Sequence, residues 1–157
     1  MITCAMCDDE LPFAEQLRSL VMAYAKKKRV ELQAETFASA EELLEEIENG
    51  AGFEILFLDI EMRKMDGIEL GKKLRERSYQ TLIIYVSGYD QYMRQLFEAE
   101  PFRFLSKPLK QEELENVLDK AFERISRFHR TGCQRPGNPG RRTQYSMSGT
   151  PPQAGIP

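Results

Sequence analysis

Over residues 1 to 128, short runs of consecutive apolar residues alternate with longer stretches in which apolar positions recur every three or four residues. The short runs, ITCAMC (2–7), VELQAET (30–36), FEILFLD (53–59), TLIIYVS (81–87) and FRFLSK (102–107), predict five strands. Five helices fit between and after them. The first, about 11–28, places Leu17, Val21 and Tyr24 on one side, and the second starts at Ser39, whose spacing to Glu42 in SAEE makes a capping box. Others are predicted over about 67–77, 89–99 and 110–128, the last with Leu114, Leu118, Ala121 and Ile125 on one stripe. Strands that are apolar at nearly every position must be covered on both faces, so the pattern predicts an α/β fold with a parallel sheet between two helical layers. The second strand is the least apolar and is expected at an edge.

Composition agrees and adds a boundary. A chain of 157 residues, 41% hydrophobic and 30% charged, suits one soluble domain with a single core. No apolar run approaches the roughly 20 residues that span a bilayer, and MITCAMCDDE lacks the basic and apolar regions of a signal peptide, so a cytoplasmic location is expected. Cys4, Cys7 and Cys133 form no disulfide framework, as in a reducing compartment. The net charge of -3 is unevenly spread. Of 22 bases, four arginines (130, 135, 141 and 142) lie after residue 128, which leaves 18 against 25 acids, or -7, in residues 1–128. So acidic a body is not expected to bind a nucleic-acid backbone. Residues 129–157 hold ten Gly or Pro and little apolar periodicity, which predicts a disordered, solvated tail.

In open parallel sheets, ligands bind outside the carboxyl ends of the strands. Here those ends carry Asp8 with Asp9, Asp59, Ser87 and Lys107, so distant loops are expected to deliver three carboxylates, a hydroxyl and an ammonium to one rim. Crowded carboxylates repel unless a cation neutralises them, and hard oxygen ligands suit Mg2+. An anion held between that ion, a lysine and a hydroxyl is most economically a phosphoryl group. A carboxylate can act as its acceptor, and Asp59 is the best placed.

The segments CDDE (7–10), FLDIEMRKMDGIEL (57–70), YVSGYD (85–90) and FRFLSKPL (102–109) together resemble the receiver domain of two-component response regulators, with wording closest to receivers of LytTR-type transcriptional regulators. The likeness covers about residues 1–125. It implies a doubly wound (βα)5 flavodoxin-like fold in which Asp59 takes a phosphoryl group from a histidine kinase or a phosphotransfer protein. It further implies that Asp8 and Asp9 arrange Mg2+, with Asp9 the direct ligand, and that Glu61 offers its backbone carbonyl. Ser87 would bond one phosphoryl oxygen and Lys107 another, and the Lys107–Pro108 peptide bond would be cis. Ser87 and Phe104 are the implied switch pair. Phosphorylation would reshape the face made by the helix at 89–99, the fifth strand and the last helix, through which homodimers are an expected partner state.

Two departures and several alternatives stand beside this. Arg63 occupies a place where the family usually has Pro, which frees the loop backbone. A LytTR-type output domain needs on the order of a hundred further residues, so the chain is expected to be a receiver excised from a longer regulator or one that works alone by protein contacts. An Mg2+ phosphatase of the haloacid dehalogenase type also uses an aspartyl nucleophile, but wants an acid two residues on as Asp, where this chain has Glu61; a pseudo-receiver that only binds partners is the third reading. Cys4 and Cys7, an odd offset apart on a strand, are expected to pack on opposite faces rather than bind zinc. KKKR (26–29) is expected to close the first helix, EELLEEIE (41–48) to be a solvated acidic face, and His129 a solvated residue at a helix end.

Overall fold

The structure, a computed structural model, describes residues 1–77, 79–88 and 100–131, with side chains through Phe128. The helix expected over 89–99 and the tail from 132 onward lie outside the described residues. Five strands, β1 (Ile2–Cys7), β2 (Leu32–Phe37), β3 (Ile55–Leu58), β4 (Leu82–Ser87) and β5 (Arg103–Ser106), pair in the order β2-β1-β3-β4-β5. Every pairing is parallel. The least apolar strand, β2, is at an edge, and its burial alternates where β1, β3 and β4 are almost wholly buried.

Helices α1 (Leu11–Lys27), α2 (Ala40–Glu48), α3 (Gly67–Glu76) and the C-terminal helix α4 (Gln111–Thr131) complete the described elements. Their starts follow local chemistry. The Glu42 N–H donates to Ser39 Oγ at 3.1 Å to open α2, and the Glu69 N–H donates to Asp66 Oδ1 at 2.8 Å to open α3. Lys26 and Lys27 lie in the last turn of α1, where cations meet the negative end of the helix dipole. The sequence places the end of the last helix near 128, but the helix runs on to Thr131, since no Gly or Pro interrupts the chain before Gly132.

The sheet's pleat divides the core in two. Cys4, Met6, Ile55, Phe57, Ile84 and Val86 face α1 and α4, meeting Leu17, Val21, Leu118 and Ile125. Residues one position along, such as Ala5, Cys7, Leu56, Leu58, Ile83 and Tyr85, face α2 and α3 and meet Leu43, Ile47, Leu70 and Leu74. Cys4 and Cys7 accordingly lie in opposite halves of the core, and burial pushes both thiols up, which leaves them protonated and inert. This is a doubly wound α/β sandwich whose strand ends share one rim.

Candidate functional site

Parallel pairing fixes the rim. Register aligns Cys7 with Leu58, Leu58 with Tyr85, and Ser87 with Ser106, so the residues that follow β1, β3 and β5 emerge side by side. Backbone bonds extend that alignment past the strands: the Asp59 N–H reaches the Cys7 carbonyl at 2.9 Å and the Lys107 N–H reaches the Ser87 carbonyl at 3.1 Å. The side chains of Asp8, Asp9 and Asp59 each bring an oxygen within 4.8 Å of the others. Asp8 and Asp59 are buried and Asp9 is exposed.

Lys107 closes the group. Its Nζ donates to Asp8 Oδ2 at 2.9 Å and stands 3.6 Å from both Asp59 Oδ1 and Glu10 Oε1. The Phe13 ring lies beneath it, with the centroid 4.4 Å from Nζ. Burial alone would pull the ammonium down, but the bond to Asp8 and the charges of Asp59 and Glu10 outweigh it and push its pKa up. Asp59 answers differently. Burial first, and then repulsion from Asp8 and Asp9, push its pKa up to about 7, although Lys107 works against the rise. One lysine does not neutralise three carboxylates. That deficit, together with an all-oxygen donor set partly open to solvent at Asp9, fits a hard divalent cation such as Mg2+.

The other residues singled out in the sequence occupy distinct places. Ser87 ends β4, and its Oγ is fully buried with no hydrogen-bond partner among the described residues, an orphan hydroxyl that a phosphoryl oxygen would satisfy. Glu61 lies exposed in the loop between β3 and α3. Phe104 is half-buried on β5, packed against the half of the core shared with α2 and α3. The Lys107–Pro108 bond is cis.

Some contributors carry no motif signal. Gly67 opens α3 so close to the phosphoacceptor candidate that a Cβ there would lie 2.1 Å from the Asp59 carbonyl oxygen; only the MDG wording hints at it. Phe13 is invisible without the fold, and Glu10, though it lies within the CDDE segment, shows its pairing with Lys107 only in the structure. Glu41 also departs from expectation: it is half-buried rather than simply solvated, because its Oε2 accepts the Met65 N–H at 3.0 Å across the gap between α2 and the β3–α3 loop. At the opposite rim, Arg75, Phe102, Arg103 and Arg124 line a cleft, but its cations are engaged. Arg75 donates to the carbonyls of Tyr79, Thr81 and Glu100, and Arg103 and Arg124 stack on Phe102.

Known proteins resemble this chain in sequence and in fold. Residues 5–119, well over half of the chain, match the family model of the response regulator receiver domain. A response regulatory protein of Vibrio cholerae serotype O1 is 32% identical over 136 residues, covering 87% of this chain and 53% of the relative. The sensory transduction protein LytT of Bacillus cereus is 29% identical over 120 residues, 76% of this chain and 47% of its own. Among solved structures, the REC domain of AraT, a response regulator from Geobacillus stearothermophilus, is 26% identical with a TM-score of 0.68, covering 82% of this chain and 98% of that one. The chain spans about half the length of the curated relatives it matches. No helix among the described residues is long and apolar enough to cross a membrane.

Proposed function

This chain belongs to the response regulator receiver domain family, and from that premise we propose that it is a phosphorylation switch with Asp59 as the acceptor. The observation that carries the reading is the meeting of Asp8, Asp9 and Asp59 with Lys107 at one rim. Asp59 attacks the phosphorus of a phosphohistidine on a partner kinase or phosphotransfer protein; the new P–O bond forms as the P–N bond breaks, and the imidazole leaves with the electron pair and takes up a proton. Lys107 and Ser87 are placed to receive phosphoryl oxygens, the first as a charge and the second as a hydrogen-bond donor. Asp8, Asp9, Asp59 and the Glu61 carbonyl would hold Mg2+, with Asp9 the direct ligand. When bound, the ion supplies positive charge against the carboxylates and the incoming phosphoryl group.

On this reading the chain turns over no substrate beyond its own aspartyl phosphate. Ser87 and Phe104 relay the modification to the face that includes β5 and α4, where a second copy can pair. The receiver domain spans about residues 1–128, and its location is cytoplasmic. By likeness to the transcriptional regulatory protein LytR of Staphylococcus aureus, the output is transcriptional, with the receiver itself making no contact to nucleic acid.

Incubation with acetyl phosphate and Mg2+, followed by intact-mass measurement, tests the proposal. One added phosphoryl group, absent in Asp59→Asn, is expected. Steady release of phosphate without an adduct would replace the switch by a phosphatase, and no reaction at all would leave a partner-binding module.

A further inference from the structure

The loop from Asp59 to Asp66 carries both the acceptor and the carbonyl assigned to the cation, and what holds its shape is therefore part of the site. Its base is closed by the Gly67 N–H on the Ile60 carbonyl at 2.9 Å. Within the span, Met62 is buried with its Sδ 3.6 Å from Cys7 Sγ, while Arg63 and Lys64 are exposed. Lys64 stands in the left-handed region at φ 62°, which a lysine keeps only when its surroundings hold it there. The next backbone N–H, that of Met65, is the one captured by Glu41 Oε2 at 3.0 Å. Glu41 itself is anchored in the first turn of α2, behind the Ser39 cap, so its carboxylate is a fixed point outside the loop. The Met65 amide in turn holds the Glu41 carboxyl below its ordinary pKa, as expected for an acceptor that is used in the charged form.

We infer that Glu41 is a positioning residue: by clamping the Met65 amide it holds Lys64 in its left-handed turn and keeps the Glu61 carbonyl of the same loop aimed at the cation site. A loop with no proline at residue 63 thereby gains from α2 the rigidity its own sequence does not provide. The inference rests on the cation-assisted reading of the site given above.

The test compares Glu41→Gln with Glu41→Ala in the full chain. Both remove one negative charge, but only Gln retains an oxygen that can accept the Met65 N–H. Mg2+ affinity is read from amide chemical shifts during titration with MgCl2, and loop order from hydrogen exchange of the Met65 amide. The clamp requires Glu41→Ala to weaken Mg2+ binding about five- to tenfold beyond Glu41→Gln and to speed Met65 exchange by a similar factor. Equal weakening in the two variants would reduce Glu41 to a distant charge and overturn the inference, as would equal exchange. Wild-type protein that binds Mg2+ while Glu41→Ala matches it refutes the clamp alone; wild-type protein that binds no Mg2+ refutes both the clamp and the function it rests on.

Discussion

Lys107 and Asp8, 99 residues apart in sequence, meet at 2.9 Å across the rim, and the same ammonium stands 3.6 Å from Asp59. Among the described residues, it is the one cation paired with Asp8 and Asp59. Replacing it by methionine removes the charge and the hydrogen bond that restrain the Asp59 pKa, so the carboxyl of metal-free Lys107→Met is expected to titrate above the value of about 7 in the parent, as read by carboxyl-carbon NMR. The buried Asp8 would also lose its ion pair, at a cost of about 1–3 kcal/mol in urea unfolding once the partial exposure of the lysine is allowed for. An unchanged Asp59 titration would separate Lys107 from the acceptor electrostatically.

Asp59 makes the metal-free fold sensitive to pH in a calculable direction. Its folded pKa of about 7 lies above the ordinary 3.8, so the fold binds this proton more tightly than the unfolded chain does. The resulting stability is fully present below the unfolded value and is lost as pH rises from about 4 through 7. In EDTA at pH 8, Asp59→Asn is therefore expected to be more stable than wild type by about 2–4 kcal/mol, with the gap closing near pH 4. Urea melts across that range would check it; a gap that widened toward acid pH would contradict the sign.

Mg2+ should reverse part of that penalty. At a hundred times its dissociation constant, a ligand that binds only the folded state adds about 2.7 kcal/mol, and here the addition should appear in wild type and shrink in Asp59→Asn. Thermal melts with and without 10-fold steps in MgCl2 give the comparison. Equal stabilisation of both proteins would move the cation away from Asp59.

Gly67 is expected to tolerate no side chain. A methyl placed 2.1 Å from the Asp59 carbonyl oxygen cannot be absorbed by a flexible neighbour, so α3 or the end of β3 must move. Gly67→Ala should lose about 2–4 kcal/mol and react with acetyl phosphate more slowly even where it remains folded. Wild-type stability and rate in this variant would show that the contact relaxes without consequence.

Phe13 supports Lys107 from below, and Phe13→Leu retains most of the apolar bulk while losing the ring face. A loss of about 0.5–1 kcal/mol of ammonium stabilisation corresponds to roughly two- to fivefold in the acetyl phosphate rate. Unaltered kinetics would assign the ring to packing alone.

The strands were legible because β1, β3 and β4 are buried on both sides and read as unbroken apolar runs, and β2 betrayed its edge position by alternating. Strand-end acids and Lys107 were legible for a related reason, since charge directly after an apolar run needs a partner or water. What sequence could not display is contact between elements with no periodic signature. Glu41 sits in a run of glutamates of which Glu42, Glu45 and Glu46 are exposed, and only the nearness of the β3–α3 loop distinguishes it. Phe13 reads as an ordinary aromatic in a first helical turn until β5 brings Lys107 over its ring. Gly67 is an unremarkable helix start until the Asp59 backbone is seen pressed against it.

The parallel order of the sheet also governs when the rim can exist. Asp8, Asp9 and Asp59 leave the ribosome long before β5, so a nascent chain that has reached β4 carries the crowded acids without their counter-charge. The last strand to be made delivers the ammonium, and the ion pairs of the rim therefore form only when that strand docks.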